Sequence, residues 1–262
     1  MKENHMRRIL ELNNYNALIN NLETLELIRI RENIDNYITL ISEGTKTVTD
    51  ALYELTEQEL GYRMEAVIKG NVKVANFPFL KEIQDFDFSF QPSIDKKKIM
   101  DFMTLRFLEN SENIIFCGSP GVGKTNLAVS IGIEAAKQRY CVYFITFQDL
   151  ISQLKKAYDE NRLETRIKWF CRYKLLIIDE LGYQKMDTAS ANLFFNLIAK
   201  RYEKSSTIIT TNSPFSKWAD IFQEPVLTNA LLDRLLHHCS VLNINGPSYR
   251  LKDQLQFISE EG

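Results

Sequence analysis

From residue 113 onward, short apolar runs alternate with longer stretches whose apolar residues recur at helical spacing. The runs at 113–117, 141–145, 175–179, 207–211 and 239–244 read as buried strands. The stretches at 126–137, 147–158, 190–202 and 230–238 read as helices, with Leu193, Phe194, Leu197 and Ile198 on one face of the third. Strands that alternate with helices predict an α/β fold, a mostly parallel sheet in three layers. In such sheets ligands sit at the C-terminal ends of the strands.

Residues 1–76 follow a different rhythm. Tyr15, Leu18, Ile19 and Leu22, then Ile30, Ile34, Tyr37, Ile38 and Ile41, keep helical spacing, and Ser42-Glu-Gly-Thr45 interrupts it. Thr47-Val-Thr-Asp50 is suited to capping a helix that carries Ala51, Leu52 and Leu55. A further helix with Met64, Val67 and Ile68 runs toward Lys73. Two or three amphipathic helices bury little by themselves. The expectation is a small helical domain over 1–76 that contacts a protein partner, followed by a nucleotide-binding domain over 77–262. Pro78 marks the change. Phe86, Phe88 and Phe90 then alternate ahead of a helix near 96–110, as an edge segment burying aromatics or as a wall of an adenine pocket.

Composition narrows the class. The 262 residues are 45% hydrophobic and 25% charged, with a net charge of −2, which is ordinary for a soluble globular protein. Residues 1–76 hold nine Lys/Arg against twelve Asp/Glu, so they are not a basic DNA-binding arm. The four cysteines include no C-x-x-C pair, which points to buried thiols in a reducing compartment rather than zinc. The absence of a long apolar run or a signal-peptide pattern makes the cytoplasm the expected location.

The candidate chemistry centres on Gly118-Ser-Pro-Gly-Val-Gly-Lys-Thr125, which fits G-x-x-x-x-G-K-T between a strand and a helix. The glycines of the loop Gly118, Ser119, Pro120, Gly121, Val122 and Gly123 let its backbone N–H groups, which Pro120 alone lacks, turn toward phosphates, and the helix opening near Asn126 adds a positive dipole end. Lys124 is placed for the outer phosphates of ATP, and the Thr125 hydroxyl for Mg²⁺. Asp179 and Glu180 end the apolar run 175–178. A carboxylate at Asp179 suits the same Mg²⁺, and one at Glu180 suits deprotonation of water, favouring hydrolysis over transfer to a second substrate. Asn212, at the end of the next strand, offers a neutral amide for the attacking water or the γ-phosphate.

Lys155 to Lys174 form a local basic patch with Lys155, Lys156, Arg162, Arg166 and Lys168, interleaved with Tyr158, Trp169, Phe170 and Tyr173. Such a patch either tracks a nucleic-acid backbone or is a solvated helix pair. His237 and His238 are adjacent on a predicted helix, where side chains point apart, and the expectation is that no Cys or acid joins them at ligand spacing, so they read as surface residues.

Five blocks together resemble the AAA+ ATPases of the IstB and DnaC group. They are Phe86-Asp-Phe-Ser-Phe-Gln-Pro-Ser93, the P-loop, Leu175-Leu-Ile-Ile-Asp-Glu-Leu-Gly-Tyr183, Ser206-Thr-Ile-Ile-Thr-Thr-Asn212, and Ala230-Leu-Leu-Asp-Arg-Leu-Leu-His-His238 with Ser248-Tyr-Arg250. The resemblance implies a P-loop AAA+ ATPase that binds double-stranded DNA, forms homo-oligomers with nucleotide at subunit interfaces, and assists a transposase. It implies that Asn212 is the sensor-1 residue, Arg234 the arginine finger and Arg250 the sensor-2 arginine. It further implies that the insertion at 155–174 is the DNA-touching element and that the C-terminal lid is absent or reduced. The alternatives are a DnaC-type helicase loader, an ATP-gated assembly protein with incidental hydrolysis, and a small-molecule P-loop kinase, which Glu180 disfavours.

Overall fold

The computed structural model describes residues 2–182 and 185–249, with side chains from residue 13 onward. The chain divides into two compact units, Met1–Val67 and Ile68–Gly262.

The first unit is helical, with α1 (Lys2–Thr24), α2 (Ile28–Ser42) and α3 (Val48–Val74), the last of which contains the boundary. Its core is small: Tyr37, Ala51 and Leu55, packed by Ile30, Ile34, Leu40 and Ile41. The expected break lies at Ser42, and Thr47 Oγ1 accepts from the Asp50 amide at 3.2 Å as a cap. The two helices expected between 47 and 73 are one continuous helix. Gly61 and Gly70 do not interrupt it, since a helical glycine costs only about 1 kcal/mol and no proline intervenes. Glu59 is buried on α3, and its Oε2 accepts from the Arg29 amide at 2.8 Å in the first turn of α2. Arg63 donates to Oε1 at 3.0 Å. Burial works to raise the Glu59 carboxyl, but Arg63 and the backbone donors outweigh it and hold it below the usual range.

The second unit carries five parallel strands: β1 (Asn113–Gly118), β2 (Val142–Thr146), β3 (Leu175–Leu181), β4 (Ser206–Thr211) and β5 (Cys239–Ile244). Their order is β2-β3-β4-β1-β5. All four pairings are parallel. Alternate residues feed two cores. Ile114, Phe116, Phe144, Ile177 and Ile208 face α6 (Lys124–Lys137), with α4 (Lys96–Met103) and α5 (Arg106–Glu109) on the same side. Ile115, Ile145, Leu176, Ile178 and Ile209 face the opposite layer. That layer comprises α7 (Phe147–Asp159), α8 (Leu163–Cys171), α9 (Thr188–Arg201), α10 (Trp218–Phe222) and α11 (Pro225–Leu236). The predicted three-layer α/β sheet is therefore present. Arg201 is fully buried and donates to the carbonyls of Phe170, Tyr173 and Ser206, tying α8, α9 and β4 together. Burial pushes it down to about 10, so it stays charged at neutral pH.

One local expectation is corrected, and a second is given its form. The helix expected over 96–110 breaks at Leu105, whose φ of 63° turns its side chain into the core beside Phe102, Phe107 and Leu108. The segment 85–92, read as an edge segment burying aromatics or as a pocket wall, is a loop. A single 3-10 turn (Ile83–Asp85) leads into a loop closed by Asp87, whose carboxylate accepts from the amides of Ser89 and Phe90. Phe86 and Phe88 still pack on the core. Among the described residues no helix is long and apolar enough to cross a membrane. The expectation of an absent or reduced lid falls on residues 250–262, outside the described residues.

Candidate functional site

β1 lies inside the sheet between β4 and β5, while the chain leaves it for the far edge at β2. The reversal opens a crevice at the C-terminal end of β1. Two glycines shape the loop there. A Cβ on Gly118 would lie 2.0 Å from the Ile244 carbonyl oxygen, so only glycine lets β1 turn this close to β5. Gly123 has a φ of 99° and caps α6, and a Cβ there would lie 2.7 Å from the Phe86 ring. The first amides of α6 therefore open toward the crevice without a capping side chain.

The result is a cleft of about 390 Å³. Pro120 to Asn126, Asp179, Glu180 and Asn212 all line it, as do Phe86 and Gln91 from the loop before α4. Lys124 Nζ donates to the carbonyls of Gly118 at 2.8 Å and Ser119 at 2.7 Å, so its charge is held at the mouth of the loop. Thr125 Oγ1 lies 2.9 Å from Asp179 Oδ1 and 3.2 Å from Oδ2. Hydroxyl and carboxylate are hard oxygen donors of the kind Mg²⁺ takes.

Glu180 owes its direction to a bulge. Ile178 pairs with Ile209 but Leu181 with Thr211, so β3 carries one residue more than β4. Glu180 takes a φ of 63° and leaves its side chain exposed, while Asp179 and Leu181 on either side are buried. Thr210 completes this corner. Its hydroxyl lies 2.5 Å from Asp179 Oδ1 and accepts from the Glu180 amide at 3.0 Å. Sequence reasoning misses Thr210. The available signal is a polar Thr-Thr pair ending a strand whose preceding residues include Ile208 and Ile209. Gln91 is missed likewise. It is 1% exposed and donates through Nε2 to the Pro247 carbonyl at 2.6 Å, fastening the loop that follows β5. Asn126 Oδ1 is buried at the cleft and has no hydrogen-bond partner among the described residues, as a site for a polar ligand would leave it.

Arg234 is not among the residues lining the cleft. It sits on α11 with its guanidinium 4.8 Å from the Phe195 ring centre, donating to the Ala230 carbonyl. Arg250 lies outside the described residues. The basic patch is two helices, α7 and α8, and most of its charges are engaged locally. Lys155 pairs with Asp187, Arg162 with Glu160 and Lys168 with Glu164. Arg166 bonds Gln153 and stacks over Trp169 at 4.2 Å. Lys156 is exposed and has no ion pair among the described residues. Trp169, Phe170 and Tyr173 cluster on Tyr143 of β2, so those aromatics face the sheet, and only Tyr158 is strongly exposed.

The expectation that His237 and His238 diverge does not hold. His237 caps α11, which ends at Leu236, and His238 lies beyond it; their ring centres lie 4.0 Å apart. Glu203, distant in sequence, reaches both.

Residues 20–257 match the family model described as IstB-like ATP binding protein. The chain is 50% identical over 241 residues to the "Insertion sequence IS232 putative ATP-binding protein" of Bacillus thuringiensis subsp. berliner, covering 92% of this chain and 96% of that one. It is 39% identical over 233 residues to the counterpart from insertion sequence IS21 of Pseudomonas aeruginosa, named in the same terms, with 89% and 88% covered. Among solved structures, the DnaC helicase loader aligns with a TM-score of 0.52 at 27% identity, over 65% of this chain and 96% of that one. AMPPCP-bound DnaA from Aquifex aeolicus aligns with a TM-score of 0.55 at 16% identity, over 71% of this chain and 56% of that one, a likeness of fold.

Proposed function

We propose that this chain, which belongs to the IstB-like ATP-binding protein family, hydrolyses ATP and uses the cycle to assist a transposase on double-stranded DNA. It is an ATP-binding AAA+ protein of the insertion-sequence type. The observation that carries the hydrolytic reading is the convergence of Lys124, Thr125, Asp179, Glu180 and Asn212 on one cleft at the ends of three strands.

In this reading the P-loop amides and the start of α6 hold the phosphates. Lys124 exchanges its two loop carbonyls for phosphate oxygens, neutralising charge that grows toward the transition state. Thr125 and Asp179 would hold Mg²⁺, which when bound supplies charge neutralisation at the β- and γ-phosphates. Glu180, aimed into the cleft by the bulge, takes a proton from the attacking water, and Asn212 orients that water without repelling the phosphate. Arg234 serves a neighbouring copy's nucleotide, and Arg250 senses the nucleotide within its own chain. Residues 1–76 contact the partner protein, and the α7–α8 patch contacts DNA.

A helicase loader is the second reading, favoured by the 27% identity to the DnaC loader. The higher identity to insertion-sequence proteins, at 50% and 39%, favours the transposase client. The test of hydrolysis is Glu180→Gln with Lys124→Ala beside it. Glu180→Gln should bind ATP yet turn over at least ~100-fold more slowly, the usual scale for a general base. Lys124→Ala should lose ATP binding. Near-normal turnover in Glu180→Gln would remove Glu180 from the chemistry.

A further inference from the structure

The strongest group of metal-ligating side chains outside the cleft lies where α11 gives way to β5. His237 and His238 follow the last helical residue, Leu236. Glu203 comes from the turn after α9 and has a φ of 58°, a left-handed conformation that non-glycine residues seldom adopt. Its carboxylate lies near both imidazoles. Glu203 Oε1 lies 3.7 Å from His237 Nδ1 and 4.0 Å from His238 Nε2. All three donor atoms fall within 4.8 Å of one another, the one such group among the described residues.

We propose that Glu203, His237 and His238 form a binding site for a late first-row divalent ion of the Zn²⁺ class. Donors on one tetrahedral Zn²⁺, each about 2.0–2.2 Å from the ion, stand about 3.4 Å apart. The two Glu203 separations, 3.7 and 4.0 Å, are close to this, and the remaining pair of donors lies within 4.8 Å. Two imidazoles and a carboxylate suit Zn²⁺, Co²⁺ or Ni²⁺, whereas Mg²⁺ takes oxygen donors. The site is therefore chemically distinct from Thr125 and Asp179. All three residues are about half exposed, which leaves solvent or a further ligand access to an open position. The Tyr202 hydroxyl lies 2.7 Å from His237 Nδ1. It competes with an ion for that nitrogen.

The placement gives the site a consequence. A bound ion fastens the end of α11 to the turn after α9, and Arg234 lies one turn earlier on α11.

The chain has three histidines, which keeps the assignment simple. The measurement is a Co²⁺ titration of the full-length, metal-stripped, nucleotide-free protein, read by visible absorption and then displaced by Zn²⁺. One Co²⁺ per chain is expected. His238→Ala and Glu203→Ala should each weaken binding at least ~10-fold, since even outer-shell partners of metal ligands are worth that much. Asp179→Asn should leave the band in place. Tyr202→Phe should tighten binding, because the phenol no longer competes. The proposal is overturned if no one-equivalent band forms, or if the band survives both His238→Ala and Glu203→Ala.

Discussion

At the residue scale, the groups proposed to act on phosphate occupy neighbouring positions in sequence, and this made them legible. Lys124 and Thr125 belong to one eight-residue motif, and Asp179 and Glu180 to one strand end. Thr210 and Gln91 were not legible, because their roles depend on a partner far along the chain: Asp179 for Thr210, and Pro247 for Gln91. The cysteines give a prediction of the same kind. Burial pushes the Cys117 thiol up to about 11 and Cys239 up to about 12, and it raises Cys171 as well. The reactive species is the thiolate, so these three should resist alkylation at pH 8. Cys141 is exposed. Iodoacetamide with peptide mapping should label Cys141 first and the others only on unfolding. Rapid labelling of Cys117 in the native protein would contradict its placement in β1.

At the element scale, strands β1 to β5 were legible because each is a short apolar run bounded by polar turns. The two units' helix ends were less so. The left-handed turn at Leu105 answers to the core beneath it, and the continuity of α3 past Gly61 answers to the absence of any stop signal. The buried cap from Glu59 to α2 is a tertiary contact that no local pattern announces, and it carries a pH dependence. Its carboxyl is held low in the folded state. The stabilisation is therefore complete above the unfolded value of about 4.3 and is lost as pH falls through the lower folded value. The melting temperature of Glu59→Gln should fall below wild type near neutrality, and the gap should close between pH 5 and about 3. A gap that is constant across that range would contradict the ionised cap. For α7 and α8, local pairing leaves Lys156 as the charge most available to phosphate. Reversing Lys155, Lys156 and Arg166 to Glu should weaken DNA binding and lower the log–log salt slope by roughly one for each phosphate no longer neutralised. Unchanged affinity and slope would make the patch a solvated face.

At the scale of the whole molecule, one copy of the chain brings Lys124, Thr125, Asp179, Glu180 and Asn212, the proposed cradle, metal ligands, base and water-orienting amide, into one cleft. It does not bring Arg234, which lies on α11 over Phe195, away from the residues that line the cleft. Charge building on the γ-phosphoryl oxygens calls for a permanently charged, two-pronged donor, and arginine is that donor. Hydrolysis is therefore proposed to be a property of an assembly in which each site borrows Arg234 from its neighbour. The most direct measurement is steady-state ATPase activity in mixtures of Arg234→Ala with Lys124→Ala. Each variant alone should be nearly inactive, and the mixture should recover activity, because some interfaces pair an intact P-loop with an intact arginine. Wild-type specific activity should also rise with protein concentration. Turnover that is independent of concentration, with no recovery on mixing, would contradict the shared site.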